Sequence, residues 1–421
     1  MNDVMIHQAP AGARDWLPLE VVQKRWVTDR LQRCFESWGY QQIVTSTLEW
    51  LDTLVAGGAI EPATVIQVPD RVGGGTLGLR PELTASIARA AVSRLTDIEQ
   101  PHRLYYQANV FRRTPSSHGS QVEFYQAGVE LLGAGSPQAD AEVLFLLADC
   151  LQTLGLPQWH LVLGDAGLTR SLLATFPVSQ QPAIRHCVAH LDRIGLAALD
   201  LVPEQRDRAL KLFDLRGQPA TVLAQLTAFD LDDEGRASVA RLQTLTEVLA
   251  TAAESPLPFI LDLSLLQTID YYTGLVFEVV AQTEGSLRAL GQGGRYDRLL
   301  GLYDPKQRQT PGIGFALNLE ELHACLLDLP QLPQVPPTSH WLVAPKTPAA
   351  AAAAFAFARQ TRAASKPATV RVELELDERA PDAIRAYATQ KGIERLAWVA
   401  ADGSVEEEAL LGKWLIEGDN E

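Results

Sequence analysis

Cysteine is scarce in this sequence, and long apolar runs are absent. The four cysteines lie far apart and form no CxxC pair, at Cys34, Cys150, Cys187 and Cys325. Neither a zinc ribbon nor a disulfide framework is therefore expected. The most apolar tract, residues 348–358, is 11 residues long, whereas a membrane-spanning helix needs about 20. The sequence thus predicts no membrane span.

Basic clusters are also missing. The chain carries 36 Lys+Arg against 51 Asp+Glu, a formal net charge of −15, and contains no block of lysines and arginines. A surface this acidic repels phosphate backbones, which disfavours nucleic-acid binding. The N-terminal residues lack the basic and apolar regions of a signal peptide. We therefore predict a cytoplasmic protein.

The composition that remains is typical of a globular protein, with 421 residues, of which 47% are hydrophobic and 21% charged. This length allows two or three domains. Apolar residues recur at helical spacing in residues 27–38 and 143–154, each followed by glycine. Short β-rich runs lie at residues 40–47, 77–79, 103–111, 122–132, 259–263, 275–280 and 312–317. Many strands with few crossover helices predict an α+β core, an antiparallel sheet with helices on one face.

Composition divides the chain into a core, a linker and a second domain. Residues 1–330 form the predicted core, and residues 166–255, rich in Leu, Ala, Gln and Arg, form a helical insertion with breaks that include Gly195. Four prolines within residues 330–338 mark a linker, placed at residues 331–339. The pattern strand–helix–strand–helix–strand in residues 340–421 predicts a small α/β domain with a parallel sheet.

Two common functional motifs are not supported. His186 and His190 share a helix face, as zinc ligands would, but no third ligand is nearby, so no metal site is expected. Glycine-rich residues 73–75 and 291–294 are not followed by the Lys-Ser/Thr of a phosphate-binding loop. Both glycine runs are predicted to form tight turns between strands.

Polar side chains recur on strand-like segments that otherwise look buried. Glu82 and Thr84 lie two residues apart in an extended segment, and Gln126 and Glu130 lie four apart in a strand pattern. Each pair would share one face. Such groups need partners when buried, and together with nearby tyrosines they fit a pocket for a cationic, amine-bearing ligand. Alternatively, the same residues face solvent.

Seven segments together resemble the histidyl-tRNA synthetases, a class II aminoacyl-tRNA synthetase family. They correspond to an N-terminal signature, motif 1, a Leu-Arg-Pro-Glu-x-Thr segment, motif 2, two histidine-specific signatures and motif 3, at residues 10–18, 35–49, 79–84, 111–130, 265–272, 293–297 and 314–321. The resemblance implies a dimer with a six- or seven-stranded antiparallel sheet, a helical insertion and an anticodon-binding-like C-terminal domain.

The resemblance also implies a histidine site. The positions that hold the amino acid in these synthetases match Glu82, Thr84, Arg112, Gln126, Glu130, Tyr271 and Tyr272. By that similarity, Glu82, Thr84 and Gln126 bind the α-amino group. Glu130 and Tyr272 bind the imidazole ring.

The groups that would activate ATP are not retained. Gln267 replaces the catalytic arginine, Glu321 replaces the motif 3 arginine that contacts the triphosphate, and Thr114 replaces a motif 2 glutamate. Adenylate formation needs cations to stabilise the phosphates. We therefore expect no catalysis and no cofactor.

A retained amino-acid pocket beside a lost ATP site resembles the family of ATP phosphoribosyltransferase regulatory subunits. The resemblance implies a non-catalytic, homodimeric protein within a hetero-oligomer. Its partner would be a short-form catalytic subunit in the first step of histidine biosynthesis, and histidine would be the feedback effector. A divergent histidyl-tRNA synthetase and a free-standing histidine- or tRNA-binding module are the alternatives. The C-terminal domain has 10 Lys+Arg against 13 Asp+Glu, which argues against tRNA.

Overall fold

The computed structural model describes residues 9–70, 73–113, 121–252, 257–265, 271–283, 286–364 and 369–410. The chain divides into two compact units, Met1–Pro333 and Gln334–Glu421. The predicted linker, residues 331–339, spans this division. Within the described residues, no helix is both long and apolar enough to cross a membrane.

The first unit is built on a nine-stranded sheet with the order β1-β5-β6-β12-β11-β10-β7-β9-β8, beside a small sheet β2-β4-β3. The strands are β1 (Gln41–Gln42), β2 (Leu48–Trp50), β3 (Ile66–Pro69), β4 (Thr76–Leu79), β5 (His102–Phe111), β6 (Glu123–Leu132), β7 (Trp159–Asp165), β8 (Arg216–Gly217), β9 (Phe259–Asp262), β10 (Leu275–Thr283), β11 (Ser286–Arg295) and β12 (Gly312–Asn318).

The six strands from β5 to β7 in this order are each antiparallel to their neighbours. Parallel pairs occur only towards the edges of the described sheet, between β1 and β5 and between β7 and β9. The predicted α+β class is confirmed, with a six-stranded antiparallel centre.

Helices cover both faces of this sheet, so the prediction of helices on one face was wrong. The helices outside the insertion are α1 (Pro18–Ser37), α2 (Leu51–Val55), α3 (Thr84–Arg94), α4 (Pro137–Thr153), α11 (Leu299–Tyr303) and α12 (Leu319–Leu326). The larger core forms where α1, α4 and α12 pack on one face. On the other face, α3 and α11 form a smaller core around Tyr106 and Leu132. This second face is only partly filled, and the candidate site lies there.

The insertion is helical, as predicted. Its helices are α5 (Ala166–Ala174), α6 (Gln181–Ala189), α7 (Arg193–Ala198), α8 (Pro203–Leu212), α9 (Pro219–Gln225) and α10 (Asp233–Thr251). Gly195, a predicted helix break, instead lies inside α7. The Asp192 side chain accepts a hydrogen bond from the Gly195 amide and caps the helix, which explains the difference.

The second unit is an α/β domain, as predicted. Its elements are β13 (Trp341–Pro345), α13 (Ala351–Ala364), β14 (Val372–Leu374), α14 (Pro381–Gln390), β15 (Arg395–Val399) and β16 (Val405–Ala409). Three strands are parallel, but β16 adds an antiparallel edge that the sequence pattern did not predict.

The glycine-rich residues 291–294 do not form a turn, so that prediction was wrong. They lie within β11, where a Cβ atom on Gly293 would come 2.3 Å from the carbonyl oxygen of Gly314 on β12. Glycine is required there because the neighbouring backbone approaches closely. Residues 73–75 do form the predicted turn, between β3 and β4, with Gly74 at φ +73°.

Candidate functional site

A cavity of about 210 Å³ opens on the partly filled face of the sheet. The structure brings all seven residues of the predicted amino-acid site to its wall: Glu82, Thr84, Arg112, Gln126, Glu130, Tyr271 and Tyr272. We call it the Glu130 cavity. Its size suits a small molecule rather than a macromolecule.

The first wall is formed where β4 leads into α3. Residues 79–84 were predicted to be extended. That prediction was wrong, because β4 ends at Leu79 and Thr84 begins α3. The Glu82 carboxylate accepts hydrogen bonds from the amides of Thr84 and Ala85, the latter at 2.9 Å. Glu82 thereby satisfies amides that the first turn of the helix leaves free. Burial raises the pKa of Glu82.

Glu130 lies at the centre of the cavity, 1% exposed. One carboxylate oxygen accepts a 2.7 Å hydrogen bond from the Thr84 hydroxyl, and the other accepts one from the Tyr296 hydroxyl. Burial raises the pKa of Glu130 to about 8, since both neighbours are neutral donors and none supplies a positive charge.

Tyr296 was missed by the sequence analysis. It lies in one of the histidine-specific signatures, which was recognised, but no role was assigned to it. The signal was its place next to Arg295 at the end of β11, which aims its ring at the same face as Glu130. Its contact with Glu130 joins residues 166 positions apart.

Gln126 supplies an unsatisfied acceptor. It lies on β6, four residues before Glu130 and on the same face of the sheet. Its side-chain oxygen is buried and has no hydrogen-bond partner in the protein. Buried polar atoms are nearly always paired, so this oxygen points to a ligand that donates a hydrogen bond.

Arg112 is the only cationic side chain among the described residues that line the cavity. Its Nε donates a 2.6 Å hydrogen bond to the carbonyl oxygen of Pro81. Burial lowers the pKa of Arg112, and the nearby Glu82 carboxylate opposes that effect. The guanidinium stays charged, because an arginine is not deprotonated in proteins. It can pair with an anionic group of a ligand.

Aromatic rings complete the wall. Tyr271 and Tyr272 meet edge to face with ring centroids 5.0 Å apart, and Tyr271 lies 5.8 Å from the ring of Tyr296. Tyr106 lies on β5 beneath them. Flat rings on several sides suit a flat, polarisable group.

Missing side chains keep the cavity open. A Cβ atom on Gly314 would lie 2.1 Å from Oε2 of Glu130, and one on Gly128 would lie 2.6 Å from the hydroxyl oxygen of Tyr106. Any larger residue at these positions would fill the space above the sheet. The glycines thus set the depth of the cavity.

Glu321, which stands where the resemblance places an arginine of the synthetases, does not line this cavity. Gln267 and Thr114 lie outside the described residues. Glu321 lies in the first turn of α12, where its Oε2 accepts a 2.8 Å hydrogen bond from Arg288. An anion paired in this way offers no positive charge to a phosphate.

A second cavity, of about 320 Å³, adjoins the first and shares Tyr272, Gln292 and Gly293 with it. We call it the Glu278 cavity. Burial raises the pKa of Glu278, which lies on its floor. The Arg216 guanidinium, on its wall, pairs with Asp262 at 3.3 Å.

The structure describes no group of three or more His, Cys, Asp or Glu side chains placed to hold a metal ion. His186 and His190 stack at 4.3 Å between ring centroids. The Nδ1 of His190, at the C-terminal end of α6, lies 2.8 Å from the carbonyl oxygen of His186. That ring nitrogen therefore already has a hydrogen-bond partner within the helix.

Comparisons with known proteins agree with this geometry. The family model described as histidyl-tRNA synthetase matches residues 12–322. A protein of Gloeothece citriformis named ATP phosphoribosyltransferase regulatory subunit is 56% identical over 95% of this chain and 98% of its own length. One of Nostoc punctiforme with the same name is 55% identical over 96% of this chain and 100% of its own length.

Solved structures show the same fold. A Bacillus halodurans protein titled ATP phosphoribosyltransferase regulatory subunit/histidyl-tRNA synthetase is similar with a TM-score of 0.78 and 28% identity, covering 94% of this chain and 98% of that one. A histidyl-tRNA synthetase from Nostoc sp. gives a TM-score of 0.75 at 20% identity, over 96% and 97% of the two chains. At that identity, the comparison shows a shared fold and nothing further. By sequence and by fold, the chain belongs to the family of ATP phosphoribosyltransferase regulatory subunits, which is related to the histidyl-tRNA synthetases.

Proposed function

We propose that this chain is the non-catalytic regulatory subunit of ATP phosphoribosyltransferase. It acts with a short-form catalytic subunit in the first step of histidine biosynthesis and conveys feedback by histidine. The observation that carries the proposal is the Glu130 cavity, where an unpaired amide oxygen, a buried carboxyl group and a single guanidinium surround one small space.

These groups complement the three polar parts of free histidine. Arg112 is the charge partner for the α-carboxylate. The unpaired oxygen of Gln126 accepts from the α-ammonium group, with Glu82 and the Thr84 hydroxyl oxygen nearby. Glu130 and Tyr272 then receive the imidazole ring, whose N–H groups need an acceptor in a buried site.

The chain does not form an adenylate on this proposal. Glu321, already paired with Arg288, is acidic where the synthetases have an arginine that contacts the triphosphate. The neutral Gln267 stands where the synthetases have a catalytic arginine. Histidine is therefore an effector here and not a substrate.

Feedback requires that histidine bind two states of the assembly with different affinities. Binding would then shift the catalytic partner towards its less active state. A homodimer within the hetero-oligomer is supported by exposed apolar side chains in and near the segment that resembles motif 1: Val44, Leu48, Trp50 and Val68. Burying them against a second copy would remove apolar surface from water.

The test is reconstitution with a purified short-form catalytic subunit. We expect the two chains to co-purify, the complex to transfer phosphoribosyl groups faster than the catalytic subunit alone, and histidine to inhibit it. In Glu130→Gln, the complex should form and stay active while inhibition needs at least tenfold more histidine. Glu278→Gln, a matched change outside the Glu130 cavity, should leave inhibition unchanged. A catalytic subunit that is indifferent to this chain would contradict the proposal.

A further inference from the structure

We infer that the Glu130 cavity recognises imidazole by its basicity, through a single proton that Glu130 and the ring share. The ligand class is therefore an amino acid whose side chain is a weak base able to take the carboxyl proton. This inference rests on the proposed function and adds a rule for selectivity and pH dependence. The inference concerns which group carries the proton before and after binding. The shape of the cavity and the number of hydrogen bonds do not determine that.

The charges around the cavity are unbalanced. Two carboxyl groups, the half-buried Glu82 and the buried Glu130, line the cavity with one guanidinium, Arg112. The charge of Arg112 lowers the pKa of Glu82 and so opposes the effect of burial there. It does not contribute to the pKa shift of Glu130. Glu82 also holds two helix amides. Because the charge of Arg112 acts on Glu82 and not on Glu130, Glu130 has no counterion in the empty site.

Within the described part of the chain, no cationic side chain contributes to the pKa shift of Glu130. The groups that face it are Glu82 and Thr84 at the start of α3, Tyr106 on β5, Tyr296 on β11, the two tyrosines that precede β10, and the backbone of Gly314 on β12. The tyrosines stay neutral because burial raises each pKa further. Near neutral pH, the empty cavity therefore keeps a proton on Glu130.

Histidine allows that proton to move without leaving the site. The neutral ring has one nitrogen with a lone pair, which takes the proton from the Glu130 carboxyl group. The new N–H then donates to the carboxylate, and the hydroxyls of Thr84 and Tyr296 continue to donate to it. One proton is present before and after, so binding near neutral pH exchanges none with solvent.

Outside that range, binding must exchange a proton. Below the imidazole pKa of about 6.5, both ring and carboxyl carry protons when free, so one is released. Above the Glu130 pKa of about 8, neither carries one, so one is taken up. By linkage, affinity falls on both sides by up to about tenfold per pH unit.

The experiment is calorimetric titration of the full chain with histidine at about pH 5.5, 7.2 and 9, each in two buffers of different ionisation enthalpy. We expect proton release at the lowest pH, none at the middle pH and uptake at the highest, with the tightest binding in the middle. 1,2,4-Triazole-3-alanine, similar in shape but far less basic, should bind the same protein at least tenfold more weakly at about pH 7.2.

Tyr296→Phe separates this role from a structural one. Its hydroxyl lowers the pKa of Glu130, so its loss should move the alkaline fall in affinity to higher pH and leave the acid fall in place. Tyr303→Phe is the matched control, because the Tyr303 hydroxyl donates to the carbonyl oxygen of Thr53 and not to Glu130. If the alkaline fall in affinity came from deprotonation of the ligand's own ammonium group, it would stay at the same pH in Tyr296→Phe.

The outcomes are distinct. Absence of histidine binding at every pH would contradict the proposed function itself. Binding with heats independent of buffer and equal affinity at all three pH values would overturn only the shared proton. Equal binding of the triazole analogue would overturn it also, and this last arm needs no variant to fold.

Discussion

Thr84 Oγ1 donates to Glu130 Oε1 over 2.7 Å, a bond between the first residue of α3 and a residue near the C-terminal end of β6. The bond holds the helix start against the sheet at the floor of the cavity. Because the Thr84 hydroxyl proton points to Glu130, the hydroxyl oxygen can still accept a hydrogen bond from a ligand.

Glu130→Gln should weaken histidine binding by about 1.5–3 kcal/mol, the usual loss when a hydrogen bond to a charged group is removed. The amide keeps the size of the side chain but cannot ionise. Titration calorimetry of the free subunit measures the effect directly. Glu278→Gln serves as control, and equal affinities in Glu130→Gln and the unaltered protein would exclude Glu130 as the ring's partner.

Histidine-dependent exchange of pyrophosphate into ATP should remain at background. On the proposed function, Glu321 and Gln267 stand where the synthetases have the arginines that adenylate formation requires, so the phosphates would lack those cations. A histidyl-tRNA synthetase assayed in parallel provides the positive control. Clear exchange by this chain would favour the divergent-synthetase interpretation.

The free energy of unfolding should depend on pH through Glu130. Its folded pKa of about 8 exceeds the unfolded value of about 4.3. The folded state thus holds the proton more tightly, and the resulting stability is complete at low pH and lost as pH rises through 8. Relative to Glu130→Gln, the ligand-free protein should lose roughly 1–3 kcal/mol between about pH 5.5 and 8.5. Urea denaturation of both proteins at both pH values measures the difference. Parallel pH profiles would show that Glu130 ionises normally.

Gly314→Ala should destabilise the fold by about 1–3 kcal/mol and abolish histidine binding. The added Cβ would lie 2.1 Å from Oε2 of Glu130 and 2.3 Å from the carbonyl oxygen of Val129, and that backbone cannot retreat. Gly135→Ala is the control, since its nearest new contact is a Pro311 side-chain atom at 3.2 Å. Thermal melting with and without histidine distinguishes the two. Two variants that melt alike would show that the sheet tolerates a side chain at Gly314.

Histidine tRNA should not bind specifically near physiological salt. The C-terminal domain is acidic, and Glu406 to Glu408 lie on its edge strand β16. Most of its described aromatic rings are at least half-buried, although Phe355 is 51% exposed, so few rings are available to stack on unpaired bases. Trp414 lies outside the described residues. A gel-shift titration is the measurement, and saturable binding lost on deletion of residues 340–421 would contradict the prediction.

Local patterns were enough to predict α1 and α4, from their helical apolar period, and β5, β6 and β12, from their β-rich composition. Strand β7 has apolar residues at alternate positions, Trp159, Leu161 and Leu163, and was overlooked. Strand β11 was mistaken for a turn because glycine has two uses, positive φ and close backbone approach, which a single sequence does not distinguish.

The residues of the site could be predicted from the sequence, but the hydrogen bonds between them could not. Glu82 and Thr84 are only two residues apart, yet one caps a helix and the other begins it. The Tyr296 contact with Glu130 depends on β11 and β6 both flanking β12 in the sheet. Such contacts between distant residues follow from sheet order, and no local pattern encodes that order.

The Glu130 cavity also bears on how long the protein survives in a cell. When it is empty, atoms of its wall lack packing partners on one side, and a bound ligand would supply those contacts. A ligand that binds only the folded state raises its stability in proportion to the logarithm of ligand concentration. Proteases remove chains that unfold. If histidine is the effector, as proposed, its starvation would shorten the life of the subunit at the same time as it relieves inhibition. Effector level would then set the amount of the regulator as well as its state.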